Sequence, residues 1–132
     1  MADERRGLEI REAHYPRRAP VDGYGGGRFR FAGMAHTGAL ICVPSGIYAW
    51  DRSRPDALVA EDLERVFAEA DDIELLLIGG GADPVFVPEP LRVRCREANI
   101  VVEAMATGPA VRTYNVLLAD ERRVAAALAP VG

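Results

Sequence analysis

Hydrophobic and polar positions divide the chain into short, sharply bounded segments. Residues 1–7 are polar and are expected to be a frayed N-terminus. Leu8 to Tyr15 carries Leu8, Ile10 and His14 in alternation, an edge-strand pattern stopped by Pro16. Residues 16–27 show no period and end in Gly-Tyr-Gly-Gly-Gly. Phe29 and Phe31 then alternate with Arg28 and Arg30, which predicts a strand with one wet face. After Gly33 the continuous run Ala39-Leu40-Ile41-Cys42-Val43 predicts a strand buried on both faces, and the two runs look like a hairpin. Pro44-Ser45-Gly46 is a turn, and Ile47 to Trp50 a short strand.

Beyond a charged loop over residues 51–58, apolar residues fall at Val59, Leu63, Val66, Phe67 and Ala70, a helical stripe without a good N-cap residue before it. Ile73 to Ile78 is an apolar run of strand length, followed by glycines. Asp83-Pro84, Pro88 and Pro90 frame a loop, Leu91 to Ala98 predicts a helix, and Ile100-Val101-Val102 predicts a buried strand. That strand–helix–strand unit should be a right-handed parallel crossover. A last helix should begin at Gly108 or Pro109, with Ala110, Tyr114, Leu117 and Leu118 facing inward. Val124 to Leu128 is ambiguous: three alanines favour helix, while a five-residue apolar run before Pro130 suits a central strand. The periodicity as a whole predicts an α/β domain with a mixed sheet, residues 8–132 forming one domain.

Composition narrows the chemistry. A chain of 132 residues, 49% hydrophobic and 27% charged, fits one soluble globular domain. The net charge of −4 speaks against nucleic acid as a partner. All 16 basic residues are arginine, which removes a Schiff-base lysine, a lysine base and the lysine of a phosphate-binding loop. Cys42 and Cys95 suit a reduced compartment as small buried side chains, and with His14 and His36 they lack zinc-ligand spacing, so no metal and no cofactor is expected. Neither a secretory leader nor a membrane span is visible, and a cytoplasmic location follows. Ser45 and Ser53 are the only serines, and neither sits in a nucleophile elbow.

Two turns stand out. Gly79-Gly80-Gly81-Ala82-Asp83-Pro84 follows a strand, with Glu103 near the end of the next, as a dinucleotide fold requires. The third glycine of that motif is Pro84 here, and the helix starts too late to underlie a pyrophosphate. Thr107-Gly108-Pro109 opens a helix at a strand's C-terminal edge, where free amides attract anions. The candidate ligand-binding set is therefore Gly79, Gly80, Gly81, Asp83, Thr107, Arg112, Thr113 and Asn115, lining a crevice between the two turns. Arg112 would clamp a carboxylate or phosphate. The competing assignment pairs Arg112 with Glu103 or Asp83 and ties Asn115 and Tyr114 to neighbouring loops.

The run from Glu103 to Ala125, Glu-x-Met-x-Thr-Gly-x-Ala-x-Arg-Thr-Tyr-Asn-Val-Leu-Leu-x-x-x-Arg-x-Val-Ala, resembles the signature of a family of small α/β domains of unknown biochemical function. That family includes the mitochondrial complex I assembly factor three and bacterial and archaeal relatives. Gly25-Gly27-Phe29, Val43-Pro44-x-Gly46, Trp50 and Ile78-Gly79-x-Gly81 match as well, so the likeness spans roughly residues 8–129. It implies a single three-layer domain with a central mixed sheet, flanking helices and a β-hairpin region, and it makes Val124 to Leu128 a strand antiparallel to its neighbours. It also implies a non-catalytic, assembly-factor-like role through a protein partner, with a small anion as the alternative ligand and a homo-oligomer left open. Where relatives often carry Asp, Ala and Cys, this chain has Ala106, Pro109 and Val111, which puts any mechanism needing a thiol or carboxylate in that turn in doubt.

Overall fold

The computed structural model describes residues 9–10, 14–52 and 57–132. The expected frayed N-terminus over residues 1–7, Leu8, and residues 53–56 of the charged loop, Ser53 among them, lie outside the described residues. Among the described residues ten strands form two sheets. The small sheet has the order β1-β5-β4-β3, built from β1 (Glu9–Ile10), β3 (Gly23–Gly25), β4 (Arg28–Phe31) and β5 (Met34–Thr37). The large one has the order β2-β7-β6-β10-β8-β9. Its strands are β2 (His14–Tyr15), β6 (Leu40–Val43), β7 (Gly46–Ala49), β8 (Leu75–Gly79), β9 (Val101–Met105) and β10 (Val124–Leu128).

The alternation of strand side chains sorts the core into two layers, one on each face of the large sheet. Ile41, Val43, Leu76, Ile78, Ala125 and Ala127 point to one face. Leu40, Cys42, Leu77, Val124, Ala126 and Leu128 point to the other. On the first face lie α1 (Glu64–Ala68) and α2 (Glu89–Glu97), through Val66, Leu91 and Cys95. On the second lies α3 (Thr107–Ala119), through Ala110, Val111 and Tyr114, together with Phe29 and Phe31 of the small sheet. This is the expected three-layer mixed α/β arrangement. Leu40 to Val43 is buried along its whole length, and β4 alternates wet and buried as its sequence predicts.

Several elements depart from the sequence reading. Phe29 and Phe31 do not form a hairpin with residues 39–43. Instead β4 pairs with the intervening Met34–Thr37 across a two-residue turn at Ala32-Gly33, and β6 joins the other sheet. Met34-Ala35-His36-Thr37 is too short and mixed to announce itself as a strand, and its pairing comes from the tight turn. The unpatterned stretch before it contains β3, which pairs through Gly23 and Gly25. The helical stripe from Val59 is broken into a 3₁₀ turn at Ala60–Leu63, the short α1, and a second 3₁₀ turn at Ala70–Asp72. Asp71 and Asp72 stand at the C-terminal end, where the helix dipole disfavours carboxylates.

The β9 strand is the outer edge of its sheet, with Val101 59% exposed, so the expectation of full burial there is wrong. A short run of β-branched residues reads the same whether one or both neighbours are present. Finally, β10 is antiparallel to β6 but parallel to β8, so the expected orientation holds on one side only. Burial of all five of its residues between two helical layers overrides the helical preference of its alanines.

Candidate functional site

The parallel strands β8 and β9 bring the two turns to one sheet edge, as expected. There the backbone groups bond to each other. Gly80 N–H donates to Met105 O at 2.9 Å, and Thr107 N–H to Gly81 O at 2.9 Å. Gly81 N–H donates to Thr107 Oγ1 at 2.8 Å, and that hydroxyl donates to Ala129 O at 2.6 Å. Ala129 N–H closes the ring on Gly79 O at 2.8 Å. Thr107 has no exposed surface. A Cβ on Gly79 would stand 2.9 Å from Thr107 Oγ1 and 3.0 Å from Thr107 Cα, so glycine is what allows the close approach. Gly81, at φ +93°, has the left-handed backbone that glycine alone adopts freely. The structure thus joins Gly79, Gly80, Gly81 and Thr107 into one junction of β8, the start of α3 and the chain leaving β10.

The remaining members of the candidate set are placed differently. Asn115 acts as a backbone surrogate: its Oδ1 accepts Val21 N–H at 2.9 Å, and its Nδ2 donates to Val21 O at 2.9 Å. This ties the strap before the small sheet to α3, as the competing assignment of Asn115 to a neighbouring loop had it. Tyr114 reaches the same strap, 3.4 Å from Ala19 O. Arg112 and Asp83 are exposed, and Thr113 is half-buried. Among the described residues none forms an ion pair with Arg112, and Glu103 and Asp83 are no exception. The Arg112 Nη1 lies 3.8 Å from where a Gly108 Cβ would stand, and the Tyr24 hydroxyl lies 2.5 Å from the same point. Around the first turn of α3 the structure therefore gathers Arg112 and Tyr24, with no side chain capping the helix.

Sequence reasoning missed a second cluster. A cleft of about 380 Å³ is lined by His36, Gly38, Tyr48, Trp50, Asp51 and Arg65 among others, and a cleft of about 310 Å³ shares Trp50, Asp51 and Arg65 with it. The Arg65 guanidinium lies 3.7 Å above the centre of the Tyr48 ring. Trp50 Nε1 donates to Asp62 O at 2.7 Å. His36, almost fully buried, holds Nε2 at 3.1 Å from Ala39 O. Trp50 was visible only as a marker of the resemblance, and no local pattern links it to an arginine fifteen positions on.

The cysteines are buried. Burial raises the Cys42 thiol to about 12, against a weaker opposing pull from the Tyr114 hydroxyl bond. The Tyr114 hydroxyl is itself pushed up, first by burial and then by Cys42. Burial also raises Cys95, with Arg94 and Arg92 opposing. Both thiols are neutral at physiological pH and inert as nucleophiles. Among the described residues no cluster of His, Cys, Asp and Glu has the geometry to hold a metal ion.

A three-layer α/β domain whose marked sequence motif serves as a structural junction is the class these features define. The chain belongs to the family of proteins of unknown function designated DUF498/DUF598, whose model matches residues 21–129. An uncharacterised protein of Rhodobacter capsulatus is 39% identical over 121 residues, 92% of either chain. Among solved structures, a Bartonella henselae protein described as an outer membrane protein is 53% identical. The match covers 90% of this chain and 100% of that one, with a TM-score of 0.86. A Rhodopseudomonas palustris protein is 42% identical, covering 100% and 93% of the two chains, with a TM-score of 0.78. No helix among the described residues is long and apolar enough to cross a membrane.

Proposed function

We propose that this protein is a non-catalytic interaction domain, assembly-factor-like, that works as one α/β unit over residues 8–132 by binding a protein partner in the cytoplasm or beside the inner membrane. The observation that carries this is Phe86. It projects from the loop between β8 and α2 with 76% of its surface exposed. Burying a phenylalanine side chain is worth about 1.5–3 kcal/mol, a gain that the chain's own fold leaves uncollected. Aromatic side chains of this kind are the usual anchors of protein interfaces. Replacing Phe86 with a photoreactive benzoylphenylalanine and irradiating living cells should yield one dominant cross-linked protein. An adduct pattern no different from that of a probe at exposed Arg92 would end the proposal. Cell fractionation tests the compartment: recovery with the outer membrane, as the Bartonella protein's description suggests for that protein, would overturn the cytoplasmic assignment.

A second reading rests on Arg112. Its guanidinium, without an ion pair among the described residues, stands beside Gly108 at the uncapped start of α3, a geometry suited to a small carboxylate or phosphate. The candidate set Gly79–Gly81, Asp83, Thr107, Arg112, Thr113 and Asn115 would then supply scaffold and contact together. A thermal-shift screen of anionic metabolites should find a stabilising compound whose effect disappears in Arg112→Ala. A screen without hits would dispose of this reading.

A further inference from the structure

The large sheet ends at β9, and the backbone shows which of its groups are open. Val101 N–H donates to Glu74 O at 3.0 Å, and Met105 O accepts from Gly80 N–H at 2.9 Å, both toward the β8 side. In a parallel strand the N–H and C=O of one residue point the same way, and successive residues alternate. Residues 101, 103 and 105 therefore face β8, while Val102 and Ala104 direct N–H and C=O outward, away from the sheet. No strand among the described residues lies beyond β9. Along the same strand Val101 is 59% exposed and Glu103 is exposed, and neither Glu103 nor its neighbours on β9 has an ion pair among the described residues. Natural edges are normally covered or blunted, because four open backbone groups are a template for another strand.

We propose that β9 is a docking edge for an extended segment of a partner protein, which adds antiparallel to the sheet as a seventh strand. This deepens the interaction reading above and rests on it. In such a pair one partner residue exchanges both bonds with Val102 and a second, two positions away, exchanges both with Ala104. The residue between them falls directly opposite Glu103, with its side chain on the same face. Opposite charges directly across a ladder are favourable and like charges are not, so the partner carries arginine or lysine there. Two positions on, opposite Val101, it carries an apolar residue. The same geometry disfavours a second copy of this chain. A twofold pairing that uses all four open groups must set Val102 against Ala104 of the other copy, which places Glu103 against Glu103. The partner's recognition pattern is thus basic, any residue, apolar, in extended conformation.

The test uses the whole protein and two seven-residue peptides of valine and threonine, one with a central arginine and one with a central glutamate. Amide exchange is followed by NMR. In the free protein Val102 and Ala104 amides should exchange fast. The arginine peptide should slow both by at least about tenfold, and the glutamate peptide should leave them unchanged. In Glu103→Arg, an exposed substitution, the preference should invert. Protection of Val102 and Ala104 in the peptide-free protein with a dimeric mass would mean that a second copy occupies the edge, and would overturn the proposal. So would binding without protection of these two amides, no protection by either peptide, or a preference that ignores the sign at position 103. Those failures leave the general interaction reading standing if Phe86 still captures one protein in cells, whereas loss of that capture removes the reading itself.

Discussion

Thr107 lies at the centre of the junction, and replacing it separates a structural role from a binding role. Thr107→Val keeps the shape of the side chain and deletes the hydroxyl. Gly81 N–H then loses its partner in a buried bond and Ala129 O in a part-buried one, around a side chain that has no exposed surface. An unsatisfied buried polar group costs about 1–3 kcal/mol. Two such groups, offset by about 1 kcal/mol for the added methyl, predict a loss of about 1–5 kcal/mol, centred near about 3 kcal/mol. At roughly 3–6 °C per kcal/mol for a domain of this size, the central value corresponds to a fall in melting temperature of about 9–18 °C. Thr107→Ser keeps both bonds and removes one methyl, so it should lose only about 1 kcal/mol. Urea unfolding followed by tryptophan fluorescence measures both, since Trp50 packs in the core on the opposite face of the sheet. A valine variant within about 1 kcal/mol of the parent, or a serine variant less stable than the valine one, would refute the junction as described.

Other consequences of the structure can be measured on the same protein. Asn115→Asp keeps an acceptor for Val21 N–H but sets a carboxylate against Val21 O, so its folded pKa must rise above the unfolded value of about 3.9. The deficit should be absent below that value and grow to about 1–3 kcal/mol as pH rises through the folded pKa; a deficit independent of pH between 3 and 7 would contradict the geometry. The Cys42 thiol, raised to about 12, and the raised Tyr114 hydroxyl both stay protonated in the folded chain where their unfolded counterparts ionise. Stability should therefore be intact below the unfolded thiol value and decline as pH climbs through the alkaline range toward the folded value, with Cys42→Val reducing the slope. A urea midpoint unchanged between pH 8 and pH 10 would count against this account. Gly79→Ala should destabilise the fold, because its Cβ meets Leu128, the Thr107 hydroxyl and the Thr107 backbone at once; chemical denaturation of a variant as stable as the parent would show that the junction has room to give.

Much of the architecture was legible because burial writes itself into periodicity. Leu40 to Val43 and Leu75 to Ile78 announce central strands by continuous apolar runs, and Ala110, Tyr114, Leu117 and Leu118 announce the inner stripe of α3. The sequence could not show how many neighbours a strand has. Ile100-Val101-Val102 reads as buried, yet β9 is open on one side, and Val124 to Leu128 reads as helix or strand until two layers of side chains enclose it. Glycine content marked the positions of turns but not the pairing of β3, whose strand character comes from β4 beside it. The stretch from Glu103 to Asn115 was legible as a strand–turn–helix junction. The partners of Thr107 and Asn115 were not, since Ala129 and Val21 lie 22 and 94 positions away. The clefts beside Trp50 and Arg65 depend on the same kind of distant convergence.

The most direct test of an interaction role is to compare Phe86→Ser with the parent in two assays run side by side. One is thermal unfolding of the purified protein, and the other is in-cell cross-linking from a probe at Val101. A side chain 76% exposed has little folding free energy to lose, so the melting temperature should stay within about 2 °C of the parent while the cross-linked partner disappears. A melting temperature lowered by several degrees would make Phe86 part of the fold. An undiminished adduct would show that the exposed ring binds nothing, and either result would contradict the account.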